Sequence, residues 1–402
     1  MAIFTAMLEF IALLLITYIL YIGALKMNNT KYIKILTIIM LIVFLGIMFV
    51  YVSRYDIIES RSDTPYFVST ARKFVHLQNP YIGRYFCAYG PALPILVIPL
   101  SVFSTGKLLV VIMELYLLVL LVICYYILRA MHIPRVYAFF TCLLLGINPM
   151  LNYWSVGLVQ IDDLLCAIMV TVLLSFLIRH ENNMNSVITS FVSGLITGFA
   201  ASVKIYLSIT GLPILLKYLK KRRFRSAAVY FSSTIACFLG LNILFYLFYG
   251  KAFLFHAYLE HASRMAGVSL SSLLYSIGIP RSYIDIIDVL LFTALLAFLY
   301  VRRKIPDHPI LGIRRVLASL FAFLPLLYPE YLIPLVSVTV IGVAPRTRLY
   351  DVGGKILVYS LITMLGLAGR LYQYYIVKGY ILSIHAILST ITFLSLISLA
   401  ML

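Results

Sequence analysis

Apolar residues run through this chain in blocks of roughly fifteen to twenty-five, separated by short polar stretches, and not in the two-residue alternation of a half-exposed strand. Such blocks predict helices in a bilayer, because backbone polar groups surrounded by hydrocarbon must hydrogen-bond within their own segment. The pattern places spans near residues 3 to 25, 34 to 53, 107 to 128, 135 to 149, 160 to 178, 186 to 203, 206 to 219, 227 to 249, 282 to 301, 314 to 327, 331 to 345, 356 to 375 and 381 to 402. A β-barrel would need alternating segments of about ten residues, which are absent from the pattern. The expected fold is all-α, a polytopic membrane protein with about 13 transmembrane helices.

Composition agrees: 63% of the 402 residues are hydrophobic and 11% are charged, a balance that a water-soluble chain could not cover. The net charge of +18 would suggest a nucleic-acid partner in a soluble domain. Here it reads as cytoplasmic loops facing anionic lipid headgroups, with no nucleic acid implied. Twenty of the 32 Lys and Arg residues fall in one set of alternate loops, near residues 26–34, 129–135, 179, 217–225, 302–315 and 346–355, which marks that side as the cytoplasm. The opposite side then carries segment 54–106, the turn 148–160, segment 250–281 and the turn 328–331. Met1 to Leu25 lacks a basic leader and a small-residue cleavage site, so it is expected to remain as a span. The five cysteines show neither a disulfide framework nor metal-ligand spacing.

The chain divides into two N-terminal helices (1–53), an extracytoplasmic catalytic loop (54–106), a core module (107–219) and a C-terminal module (220–402). Segment 54–106 is too long to be a plain connector. Within it, residues 91–104 (PALPILVIPLSVFS) are apolar, interrupted by proline and short of a crossing, as expected of a helix lying at the interface. Reading them as a span would put the Lys-Lys-Arg-Arg-Phe-Arg run outside.

Nine of the 14 acidic residues map to the outer loops or the outer ends of spans: Asp56, Glu59, Asp63, Asp162, Asp163, Glu260, Asp285, Asp288 and Glu330. Asp162 and Asp163 enter an apolar run, where an unpaired carboxylate costs on the order of several kcal/mol, so they are expected to face a wet cavity or the bundle interior. Lys204, predicted on the same side, suits a carboxylate or a phosphate. Segment 54–106 adds Arg54, Arg61, Arg72, Lys73 and Arg84 among Tyr55, Tyr66, Phe67, Tyr81, Tyr85, Phe86 and Tyr89. Aromatic rings cover the apolar face of a sugar, and guanidinium groups grip phosphate oxygens in pairs.

The ordered set Asp63-Thr-Pro-Tyr66, Ala71-Arg72, Asn79-Pro80-Tyr81 and Tyr89-Gly-Pro91 resembles the first lumenal loop of the GT-C superfamily of polyprenol-phosphate-sugar-dependent glycosyltransferases. Within that superfamily it is similar to the catalytic subunits of GPI mannosyltransferase I and to related prokaryotic polyprenol-phosphate-mannose-dependent α-mannosyltransferases. Asn148-Pro149 with Ser155, Gly157, Gln160 and Asp162-Asp163 follows, and then Gly194 to Tyr206 with its Lys-Ile-Tyr ending. The likeness covers roughly residues 60–215. It departs from the Asp-x-Asp pair of the GPI family, since Arg61 stands at the first position, and it has an additional span before the loop.

The resemblance implies transfer of one sugar, mannose first, from a polyprenyl- or dolichyl-phosphate donor to an acceptor hydroxyl, with inversion. It implies Asp63 as the catalytic base and Lys204, Arg72 and Arg84 as a phosphate clamp. Asp162 and Asp163 would orient the sugar or neutralise a neighbouring cation, and Tyr66, Tyr81 and Tyr89 would line the donor site. Phosphate leaves without protonation, so no second carboxylate is needed as general acid, and no divalent metal is required on this reading. Expected partners are membrane lipids, the lipid-linked donor and a glycan, glycolipid or glycoprotein acceptor; an accessory membrane subunit is compatible. The protein is expected in the cell membrane with its active site extracytoplasmic, or in the endoplasmic reticulum membrane if eukaryotic. A lipid-linked-sugar flippase or transporter would share the aromatic and basic groups, and a non-catalytic subunit would be indifferent to loss of Asp63.

Overall fold

A computed structural model describes residues 2–26, 30–53, 63–102, 107–158, 160–181, 186–260, 266–302, 308–378 and 382–402. Arg54, Tyr55, Asp56, Glu59 and Arg61 of the expected catalytic loop lie outside the described residues. In chain order the α-helices are α1 (Ala2–Lys26), α2 (Thr30–Ser53), α3 (Thr64–Val75), α4 (Ala92–Leu96), α5 (Pro99–Val102), α6 (Lys107–Ala130), α7 (Arg135–Ile147), α8 (Pro149–Asn152) and α9 (Ile161–Arg179). There follow α10 (Val187–Ala201), α11 (Leu212–Lys220), α12 (Phe224–Leu254), α13 (Leu270–Ser276), α14 (Arg281–Val301), α15 (Pro309–Ala322), α16 (Ile333–Gly342), α17 (Val352–Lys378) and α18 (Leu382–Met401).

Each predicted span contains a helix, but they are not alike. Among the described residues eight helices are long and apolar enough to cross a bilayer, and the pair Arg135–Ile147 and Pro149–Gly157, bent by 51°, makes a ninth if it is one span. The protein is thus a multi-pass membrane protein. The other predicted spans are shorter: Val187–Ala201, the 3₁₀ turn Ile205–Gly211 with α11, Pro309–Ala322, and Ile333–Gly342. Ten helical residues rise about 15 Å, half of a hydrocarbon core. Hydropathy counts α15 and α16 because both are mainly apolar, and the structure buries nearly every residue of both, Arg314 and Arg315 of α15 included. They form the interior of the bundle, while α2, α12 and α14 present broad exposed apolar faces to the surrounding lipid.

Small residues set the closest helix contact. On α10, Gly194 and Gly198 lie one turn apart against α12, where a Cβ would collide with the Ser233 hydroxyl and the Thr234 carbonyl. Lipid supplies no hydrophobic drive between helices, so this close approach is what van der Waals packing requires.

The expected interfacial helix over 91–104 is two short helices, α4 and α5, separated by a turn at Val97 and Ile98. Pro99 disfavours helical geometry at the residue before it. Ala92, Leu93, Pro94, Val97 and Leu100 are buried, and the Tyr116 hydroxyl of α6 donates to the Leu96 carbonyl at 2.6 Å. Loop 76–91 is likewise folded down, since the Lys73 ammonium donates to the carbonyls of Ile82 at 2.6 Å and Tyr85 at 3.1 Å.

Candidate active site

The four loops expected on one side meet at one end of the bundle. Asp63 precedes α3 in the N-cap position, the usual place for an aspartate that bonds the first helical amides. It makes no such side-chain cap bond. Instead, the Gln160 side-chain amide donates to its Oδ2 at 3.3 Å, across a sequence gap of 97 residues. The residue stays exposed, while surrounding atoms desolvate the carboxyl and the Asp162 charge adds to that, pushing its pKa up from the ordinary carboxylate range.

Asp162 and Asp163 occupy the first turn of α9, where the unpaired amides and the helix dipole favour negative charge. Both are buried, at 1% and 0% exposure. The Lys204 ammonium lies 2.7 Å from Asp162 Oδ2 and donates to Asp163 Oδ1 at 2.6 Å. Rings close over the same ammonium: Tyr331 at 4.2 Å, Tyr89 at 4.9 Å and Tyr206 at 5.9 Å to the ring centroids. The Tyr206 hydroxyl is 3.5 Å from Asp163 Oδ1, at the limit of a hydrogen bond. This triad of two carboxylates and one ammonium carries a net charge of −1 when fully ionised.

Backbone bonds hold the arrangement. The Gly90 amide donates to the Val203 carbonyl at 3.2 Å and the Ala92 amide to the Ser202 carbonyl at 3.0 Å, which presses Tyr89 onto Lys204. A Cβ at Gly90 would overlap the Ser202 carbonyl oxygen. Gly90→Ala is therefore expected to lose both bonds, to destabilise the protein by about 2 kcal/mol in a thermal or denaturant assay, and to reduce transfer more than stability. Unchanged stability would mean that the loop does not depend on this contact.

The sequence-predicted residues separate into groups. Asp63, Tyr89, Asp162, Asp163 and Lys204 are brought together. Tyr66 stands at the surface, edge-on to Tyr85 at 5.3 Å, and Arg84 lies over the Tyr85 ring at 5.3 Å. Arg72 is exposed on α3. Tyr81 is fully buried against Phe253, Tyr249 and Phe245 of α12, with centroids at 5.0, 5.9 and 6.4 Å, so the structure makes it core and not lining. Asp162 and Asp163 both lie against the Lys204 ammonium, so the residue expected to clamp phosphate is already paired with two carboxylates.

Sequence reasoning assigned no role to Gln160, Tyr206, Glu330 or Tyr331. Glu330 stands in the 3₁₀ turn Pro329–Leu332, beside Tyr331, with its Oε2 buried and without a hydrogen-bond partner. Its signal was the run Tyr-Pro-Glu-Tyr between two apolar blocks. Among the described residues no group of three or more His, Cys, Asp or Glu is placed to hold a metal ion.

Residues 86–329, well over half of the chain, match the model of glycosyltransferase family 87. The chain belongs to glycosyltransferase family 87. Among solved structures, ArnT from Cupriavidus metallidurans bound to undecaprenyl phosphate is similar to it, at 15% identity and a TM-score of 0.48, over 90% of this chain and 76% of that one. No curated protein matches the chain. The matched region of this family 87 member includes Tyr89, Gln160, Asp162, Asp163, Lys204 and Tyr206, and it begins after Asp63.

Proposed function

We propose that this membrane glycosyltransferase moves one sugar, mannose first, from a polyprenyl- or dolichyl-phosphate donor to an acceptor hydroxyl on the extracytoplasmic face, with inversion. The observation that carries the reading is an N-cap aspartate that makes no side-chain cap bond to its helix and accepts instead from Gln160, beside a buried Asp162–Asp163–Lys204 cluster. Asp63 accepts the acceptor hydroxyl proton as the oxygen attacks the anomeric carbon. The bond from that carbon to the phosphate oxygen breaks on the opposite face, and its electron pair leaves with the phosphate. A carboxylate with a raised pKa is the stronger base for this step while it remains ionised. Lys204 fixes the two aspartates and their hydrogen-bonding oxygens around the sugar, and Tyr89, Tyr206 and Tyr331 offer ring faces to it. Mannose is supported by the likeness of the loop motifs to mannosyltransferases.

Purified protein in detergent is expected to transfer a single radiolabelled sugar from polyprenyl-phosphate-mannose in preference to polyprenyl-phosphate-glucose. A protein that binds both lipids and transfers neither sugar to any acceptor would overturn the enzyme reading in favour of a flippase. Sidedness has its own check. Ser276 and Lys221 are exposed at opposite sets of loops. A Ser276→Cys protein is expected to react with an impermeant thiol reagent in intact cells and a Lys221→Cys protein to stay unlabelled; the reverse pattern would put the site on the cytoplasmic side.

A further inference from the structure

A second cation lies buried at the same end of the bundle, and nothing above uses it. Arg370 sits in the apolar helix α17 at 6% exposure. A guanidinium in such a place costs on the order of several kcal/mol, unless an anion or a full set of acceptors compensates it. Its partners are soft. Nη1 donates to Gln373 Oε1 at 3.3 Å, and the group lies over the Tyr153 ring at 4.4 Å and the Phe10 ring at 5.7 Å. Nε has no hydrogen-bond partner, and among the described residues no carboxylate forms an ion pair with it. Lys204, by contrast, is held by two.

Short contacts join Arg370 to the candidate active site. The Trp154 indole N–H donates to the same Gln373 Oε1 at 3.1 Å, and the Trp154 carbonyl accepts from the Gln160 amide at 3.2 Å. Gln160 is the residue that holds Asp63. On the other flank, a Cβ at Gly369 would meet Pro329, the neighbour of Glu330, at 2.7 Å. The site end thus gathers Asp63, Asp162, Asp163 and Glu330 around one ammonium that is already paired. A phosphate entering it needs a cation that is not spent.

We propose that Arg370 is the group that receives the phosphate of the lipid-linked donor, between the π-helical turn Tyr153–Gly157 and the site end of α17. This rests on the donor class proposed above. The guanidinium is planar, and the Tyr153 and Phe10 rings beside it limit how it can turn, leaving N–H groups for paired bonds to two phosphate oxygens. As the sugar leaves, the pair of electrons released onto the phosphate falls beside this charge.

Trp154 is the only tryptophan in the chain and shares Gln373 with Arg370, so its emission reports on the site. Undecaprenyl phosphate titrated into the full protein in nanodiscs is expected to change that emission saturably, while undecaprenol, which lacks the phosphate, leaves it unchanged. Arg370→Gln is expected to weaken binding at least tenfold. Because that variant can fail to fold, Gln373→Glu serves as a second: it supplies an internal carboxylate, keeps the guanidinium paired, and is also expected to weaken binding at least tenfold. Wild-type affinity in both folded variants would overturn the role of Arg370 while leaving the lipid-donor reading intact. No binding of undecaprenyl phosphate to the wild type would remove the lipid-donor reading and this one together. An equal, Arg370-dependent response to phosphatidylglycerol vesicles would show a structural lipid site and overturn the assignment to the donor.

Discussion

Asp63→Asn is expected to bind the lipid donor normally and to transfer sugar at least a hundredfold more slowly. A positioned general base contributes about 10²- to 10⁴-fold, and the amide keeps the shape of the carboxylate without its basicity. The Gln160 amide can rotate to meet the new side chain, so the local fold survives. Desolvation by the surrounding atoms and the Asp162 charge raise the Asp63 pKa. Sign follows directly: the active form is ionised, so the rate falls as pH drops through a pKa above the ordinary aspartate range, and Asp162→Asn moves that limb to lower pH by removing the like charge. A pH–rate profile of single-turnover transfer reads both effects. Near-normal transfer by Asp63→Asn, with loss in Asp163→Asn, would move the base into the buried cluster.

Lys204→Met is the second large effect, and it concerns folding. Removing one partner of a buried ion pair costs about 3–5 kcal/mol, because the charge left behind cannot be solvated. Here two aspartates are left behind, at 1% and 0% exposure. The variant is expected to lose most of its folded yield, and Lys204→Met combined with Asp162→Asn and Asp163→Asn is expected to recover part of it. Thermal unfolding followed by size-exclusion elution in detergent measures both. A stable Lys204→Met protein that had merely lost donor affinity would restore Lys204 as the phosphate clamp.

Much of this fold is legible in the apolar blocks, because hydropathy measures what a segment tolerates around it. It cannot tell lipid from protein, which is why α2, with its broad exposed face, and α15 and α16, covered by neighbouring helices, read alike. The candidate site was legible where a residue was costly in its setting. Asp162, Asp163 and Lys204 stood out as charges in apolar runs, yet their mutual pairing could not be read, and Lys204 was left open to a phosphate. Tyrosines carry no such cost. Tyr81 and Tyr89 lie in similar stretches of one loop, and only the fold turns one into the α12 core and the other onto Lys204. Tyr331 and Glu330 lie more than a hundred residues from Lys204, beyond the reach of any local pattern.

The spacing of the buried triad also bears on how the chain is made. Asp162 and Asp163 precede Lys204 by about forty residues, and α9 and α10 are consecutive helices. Synthesis runs from the N-terminus at roughly 5–20 residues per second, so the ammonium emerges within seconds of the carboxylates. The hairpin of α9 and α10 can therefore enter the bilayer with two of its three charges cancelled, at a stage when Glu330, Tyr331 and Arg370 do not yet exist. Tyr331 and the second cation are added to a charge pair already in place, which leaves α17 as the last part of the candidate site to be made.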